Sequence, residues 1–116
     1  MPNTRKILDV CFNSQSGRCH YCRTPMWRGS PADFATVHAI SLASAGQLQA
    51  TAEHLIPRSE GGPNTAANIV AACRYCNTHR HKARAALLPE MYLRKVRKRL
   101  LSGKWHRMLL TSVESG

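Results

Sequence analysis

Four cysteines fall in two pairs of identical internal spacing, Cys19-His-Tyr-Cys22 and Cys73-Arg-Tyr-Cys76, separated by a long insert. Two residues between paired cysteines let a tight turn aim both sulfurs at one point, and two such knuckles make one tetrahedral Zn²⁺ site with Zn–S distances of about 2.3 Å. Four thiolates leave no coordination position open, so the metal they imply is structural. A redox Cys-x-x-Cys usually occurs once, in a thioredoxin-like βαβ setting that is not evident here. Running into the second knuckle is Glu53-His54-Leu-Ile-Pro-Arg-Ser-Glu-Gly-Gly, followed by Asn68 and Asn77. A carboxylate beside an imidazole, with carboxamides downstream, supplies metal ligands and a general base in one segment, a combination that points to phosphodiester hydrolysis. Taken singly, His54 reads as a strand histidine, Asn68 as a turn cap and Asn77 as a helix N-terminal residue. Their joint placement beside a four-cysteine site favours catalysis.

These groups need a scaffold. Residues 4–14 read as a short amphipathic helix with Cys11 beside Ile7, Leu8 and Phe12 on its apolar face, where a thiol acts as a small hydrophobe, and Ser16-Gly17 stops it. Segments 34–42 and 47–56, rich in Ala, Thr, Val, Ile and Leu with partial alternation, predict an antiparallel pair turning at Ala45-Gly46. The Gly, Pro and Asn content after Pro57 marks a loop, and Ile69-Val-Ala-Ala is a short strand leading to Cys73. Residues 77–87 favour helix until Pro89. A last helix over 89–102 carries Leu93, Val96 and Leu100 on one side, with Arg94, Lys95, Arg97, Lys98 and Arg99 around the rest. The predicted fold class is α+β, one small zinc-bound domain over 1–116 with its core at 17–84.

The segment from Glu53 through Gly62, with Asn68-Ile-Val-Ala-Ala-Cys73-Arg-Tyr-Cys76-Asn77 and Arg80, resembles the HNH endonuclease family of the ββα-metal superfamily, in its branch whose four cysteines flank the catalytic hairpin. Likeness covers roughly 17–84 and is strongest over 53–80. The resemblance implies phosphodiester hydrolysis with one catalytic divalent metal such as Mg²⁺, Mn²⁺ or Ni²⁺. His54 would deprotonate the attacking water, a task suited to a neutral imidazole. Glu53 and the Asn77 side-chain oxygen would hold the metal, while Asn68 would tie down the backbone near His54. Glu53 stands where many members have Asp, and Asn77 stands at the third named position in place of His. His81, one helical turn beyond Asn77 and on the same face, is a candidate further ligand, as the matching position is in the colicin-type DNases. Because adjacent strand residues point to opposite faces, a distortion is expected at Glu53-His54.

Across 116 residues, seventeen Lys and Arg face six Asp and Glu, a formal net charge of +11. Such an imbalance calls for an anionic partner and favours nucleic acid over an acidic protein. Charge alone does not separate DNA from RNA or membrane, and it is the resemblance that implies DNA. Arg58, Arg80 and Arg84 are placed to touch phosphates near the site, and the five cations of the last helix form the natural non-specific track, the alternative being a merely solvated face. With no apolar run of signal or membrane-spanning length, the expected location is the cytoplasm of a bacterial or phage-infected cell, with no membrane partner. A double-strand cut from one site per chain would call for a homodimer or two successive nicks. Two competing classes remain, an idle zinc-ribbon nucleic-acid-binding module and a ribosomal or RNA-associated zinc protein. Glu53-His54 with Asn77 argues against both, since binding alone does not require them.

Overall fold

Asn3 opens the first helix, its Oδ1 accepting from the Arg5 and Lys6 amides at 3.0 and 3.4 Å, in a computed structural model that describes residues 3–109. The fold is α+β: helices surround a two-stranded antiparallel sheet. Helix α1 (Thr4–Ser14) buries Leu8, and Cys11 donates to the Ile69 carbonyl at 3.3 Å. The chain then reverses through Ser16 and Gly17, both at positive φ, and a Cβ at Gly17 would press on the Phe12 ring. Gln15 pairs with both backbone groups of Ala71, its Oε1 accepting at 2.9 Å and its Nε2 donating at 2.8 Å, so the sheet edge there is covered.

Residues 34–47 overturn the predicted strand pairing. Residues 34–38 lie in α2 (Pro31–His38) and 42–47 in α3 (Leu42–Gln47), joined by a short link at 39–41, and Ala45-Gly46 sits inside the second helix rather than in a turn. Local capping decides it: Ser30 Oγ accepts from the Asp33 amide with Pro31 in the first turn, and Ser41 Oγ accepts from the Ser44 amide. Against two capped starts, a partial alternation of small and β-branched residues carries little weight.

Strand β1 (Ala50–His54) pairs instead with β2 (Ile69–Cys73), in register from Ala50↔Cys73 to His54↔Ile69. The expected distortion is absent, for the ladder runs evenly through Glu53 and His54 and continues with Leu55 N–H donating to Asn68 O at 2.9 Å. Helix α4 (Arg74–Lys82) begins three residues before the predicted start because Cys73 caps it, Sγ accepting from the Cys76 amide. It also ends well short of residue 87: Ala83 is extended, and the Arg80 guanidinium takes the Leu87 carbonyl at 3.0 Å as the chain turns back. Helix α5 (Pro89–Leu101) follows with Tyr92 and Val96 buried. One apolar cluster joins Leu8, Tyr21, Met26, Leu48, Tyr92 and Val96 to all four knuckle cysteines, so the sulfurs lie inside the core.

Candidate metal centre and active site

The four knuckle cysteines converge. Their sulfurs lie within 4.8 Å of one another, and all four residues are buried. Cys22 Sγ and Cys73 Sγ are 3.8 Å apart, too far for a disulfide and equal to the roughly 3.8 Å edge of a tetrahedron with arms of about 2.3 Å. Each sulfur also faces an N–H donor. Cys19 accepts from the Tyr21 and Cys73 amides, Cys73 from the Cys76 amide, Cys76 from Trp105 Nε1 at 3.4 Å, and Cys22 faces His106 Nε2 at 3.3 Å. The donor set and spacing fit a tetrahedral ion such as Zn²⁺. Trp105 and His106, which carry no motif, reach the cluster from beyond α5 and could not be found from the knuckle spacing.

The second centre forms where β1 meets α4. Glu53 is fully buried. Its Oε2 accepts from Tyr21 Oη at 2.7 Å and Arg80 Nη1 at 2.9 Å, and its Oε1 lies 2.8 Å from His81 Nε2. Burial, then the neighbouring Glu53 charge, pushes the Tyr21 phenol far up, so it remains a donor. Asn77 Nδ2 donates to Thr51 Oγ1 at 3.0 Å and to the Ala52 carbonyl at 3.3 Å, which leaves Oδ1 as the amide's uncommitted acceptor among the described residues. A cleft of about 380 Å³ is lined by Ala52, Glu53 and His54 of β1, Pro57, Arg58 and Ser59 of the loop, Asn77 and His81 of α4, and Thr4 of α1. Glu53 and His54, adjacent on a regular strand, both line this cleft together with residues of α1, α4 and the loop.

Asn68 and His54 are linked through the loop between the strands. Asn68 Oδ1 accepts from the Ile56 amide at 2.9 Å, and Nδ2 donates to the carbonyls of Ile56 and Pro63 at 3.2 and 3.1 Å. Gly62 makes this loop possible, since a Cβ there would run into the Ile56 carbonyl. The loop brings Asn64 to His54, with Oδ1 at 2.7 Å from Nε2. An amide oxygen accepts only, so Nε2 carries the hydrogen and Nδ1 keeps its lone pair. Tyr21, Thr51 and Asn64 are additions to the residues singled out by sequence: Tyr21 stood inside the first knuckle, Thr51 inside the predicted strand and Asn64 just after Gly-Gly-Pro, but nothing local marked these side chains for the cleft.

Among the arginines expected at phosphates, Arg80 departs. It is 3% exposed, and its donors are committed to Glu53 and to the carbonyls of His54, Leu55 and Leu87. Its position on the helix face toward β1 makes it the counter-ion of the buried carboxylate. Arg58 and Arg84 are exposed, Arg58 on the main cleft and Arg84 on a neighbouring depression that also includes Ser59 and His81. Arg94, Lys95, Arg97, Lys98 and Arg99 are exposed along α5, and none forms an ion pair among the described residues. No helix of the described residues is long and apolar enough to cross a membrane.

The site is thus built on a two-stranded antiparallel hairpin followed by a helix, a ββα arrangement with four converging cysteines beside it. The model of the HNH endonuclease family matches residues 19–83, more than half of the chain, and the chain belongs to that family. Searches of the curated proteins and of the solved structures returned no match.

Proposed function

We propose that the protein is a metal-dependent DNA endonuclease or nickase, with Zn²⁺ closing the four-cysteine site and one further divalent ion, such as Mg²⁺, Mn²⁺ or Ni²⁺, in the cleft. The observation that carries this reading is the Glu53 carboxylate, fully buried yet with Oε1 beside His81 at the cleft. Glu53, His81 and the uncommitted Oδ1 of Asn77 offer an oxygen and imidazole donor set suited to those ions. When bound, the ion supplies charge that stabilises the scissile phosphate and the departing 3′ oxygen.

The remaining work falls to the chain. His54, with Nε2 engaged by Asn64, presents Nδ1 as the base that takes the proton of the attacking water. Asn68 orients it indirectly, by locking the loop that carries Asn64. Arg58 meets phosphate at the cleft mouth and Arg84 beside it, while the α5 cations hold the flanking backbone. Incubating supercoiled plasmid with the zinc-loaded protein in Mg²⁺, Mn²⁺ or Ni²⁺ should give relaxed or linear product that EDTA abolishes. Binding without cutting in every metal would instead mark an idle zinc module.

The α5 track has its own test. Each phosphate neutralised steepens the log–log dependence of affinity on salt by about 0.9, so neutralising Arg94, Lys95, Arg97, Lys98 and Arg99 together should flatten the slope by up to about 4.5. An unchanged slope in fluorescence anisotropy would make α5 a solvated face and move the track elsewhere.

A further inference from the structure

We propose that Tyr21 and Arg80 are positioning residues that pin the Glu53 carboxylate, so that the four-cysteine knuckle sets the affinity of the cleft for its divalent ion. This deepens the function proposed above and rests on it. A carboxylate removed from water costs several kcal/mol unless it is both paired and hydrogen-bonded. Glu53 receives both on one oxygen: Oε2 lies 2.7 Å from the Tyr21 hydroxyl and 2.9 Å from Arg80 Nη1.

Neither partner is free to follow if the carboxylate turns. Tyr21 stands between two cysteines of the first knuckle, is fully buried, and packs edge-on against Tyr92 with ring centroids 4.8 Å apart. Tyr92 is itself tied to the second knuckle by its hydroxyl, 2.6 Å from the Cys76 carbonyl. Arg80 is held by three backbone carbonyls besides its bond to Glu53. With Oε2 fixed from the knuckle and from α4, Oε1 has one place to be, beside His81 at the cleft. The metal-binding geometry of the cleft is therefore set jointly by Arg80 of α4 and by the Tyr21 phenol, which is the link to the knuckle. Arg80 and Tyr21 sit at the reach of a glutamate; an aspartate, one methylene shorter, could not keep the Oε2 bonds and still present its other oxygen to the cleft.

The test is calorimetric titration of Mn²⁺ into zinc-loaded full-length protein, with zinc content and circular dichroism measured on each sample. Outer partners of metal ligands typically contribute about 10–100-fold to affinity, and Tyr21→Phe, which removes one, should weaken Mn²⁺ binding by about that much while retaining one zinc. Glu53→Asp, which draws the ligand itself away from its Oε2 partners, should weaken it at least as far, also with one zinc retained. Tyr92→Phe, which loses a knuckle hydrogen bond but no contact with Glu53, should bind Mn²⁺ as the wild type does. The proposal is overturned if Tyr21→Phe at full zinc content keeps wild-type affinity, or if Tyr92→Phe loses as much as Tyr21→Phe. Should Tyr21→Phe fail to hold zinc, Glu53→Asp decides, because its knuckle is untouched, and wild-type affinity there overturns the proposal. Wild-type protein that takes up no Mn²⁺, or Glu53→Ala binding it undiminished, is a different result and removes the cleft metal itself.

Discussion

Cys73→Ser is expected to leave the chain without a cooperative fold. Cys73 ends β2 opposite Ala50, caps α4 through its sulfur, and is one of four converging thiols in the core. Structural Zn²⁺ binding contributes about 10–16 kcal/mol in small zinc modules, whereas a whole domain is stable by only about 5–15 kcal/mol. If the ion is lost with the ligand, the free energy removed is comparable to all that the fold possesses. Cys19→Ser, Cys22→Ser and Cys76→Ser should behave alike. Cys11→Ser should be mild, since a serine hydroxyl can keep the bond to the Ile69 carbonyl. Elemental analysis should give one zinc per wild-type chain. A Cys73→Ser protein with unchanged zinc content and unchanged thermal unfolding would contradict the structural site. Acidification acts in the same direction, because protons compete with the metal for the thiolates.

His54→Ala should lower the rate of phosphodiester hydrolysis by about 10²–10⁴-fold, the usual contribution of a general base, while leaving zinc content and DNA affinity close to wild type. The separation arises because the base acts on the water only as the transition state forms. Among the described residues His54 holds no ion pair, and its one side-chain hydrogen bond is to Asn64, in a loop that Asn68 secures independently. In the proposed reading, DNA affinity comes from the exposed cations of α5 and the cleft rim, not from His54. Asn77→Ala should differ in kind, raising the divalent metal concentration needed for cleavage, with His81→Ala showing a smaller shift of the same sort.

The knuckles were legible in sequence because ligand spacing is a local property: two residues between cysteines dictate a turn whatever surrounds it. Strands β1 and β2 and helices α1 and α5 were legible for a similar reason, their apolar patterns and Gly or Pro boundaries lying within each element. Residues 34–47 were not, since Ala, Thr, Val and Leu accept either state and the decision fell to Ser30 and Ser41 as caps. Arg80 shows a different limit. In sequence it belongs to a run of helical cations, and its burial depends on a carboxylate 27 residues away. Tyr21 meets Glu53 across 32 residues, and nothing in Cys-His-Tyr-Cys signals that its phenol leaves the knuckle for the cleft. Contacts of that range are set by how β1, α4 and the first knuckle pack, which only the folded chain displays.

The most direct test is supercoiled plasmid cleavage by wild type and by His54→Ala across one titration of Mn²⁺, with circular dichroism establishing that both proteins are folded. Wild type should convert the plasmid in proportion to occupied metal, and His54→Ala should remain slower by orders of magnitude even at saturation. Equal cutting by the two folded proteins would contradict the proposed chemistry.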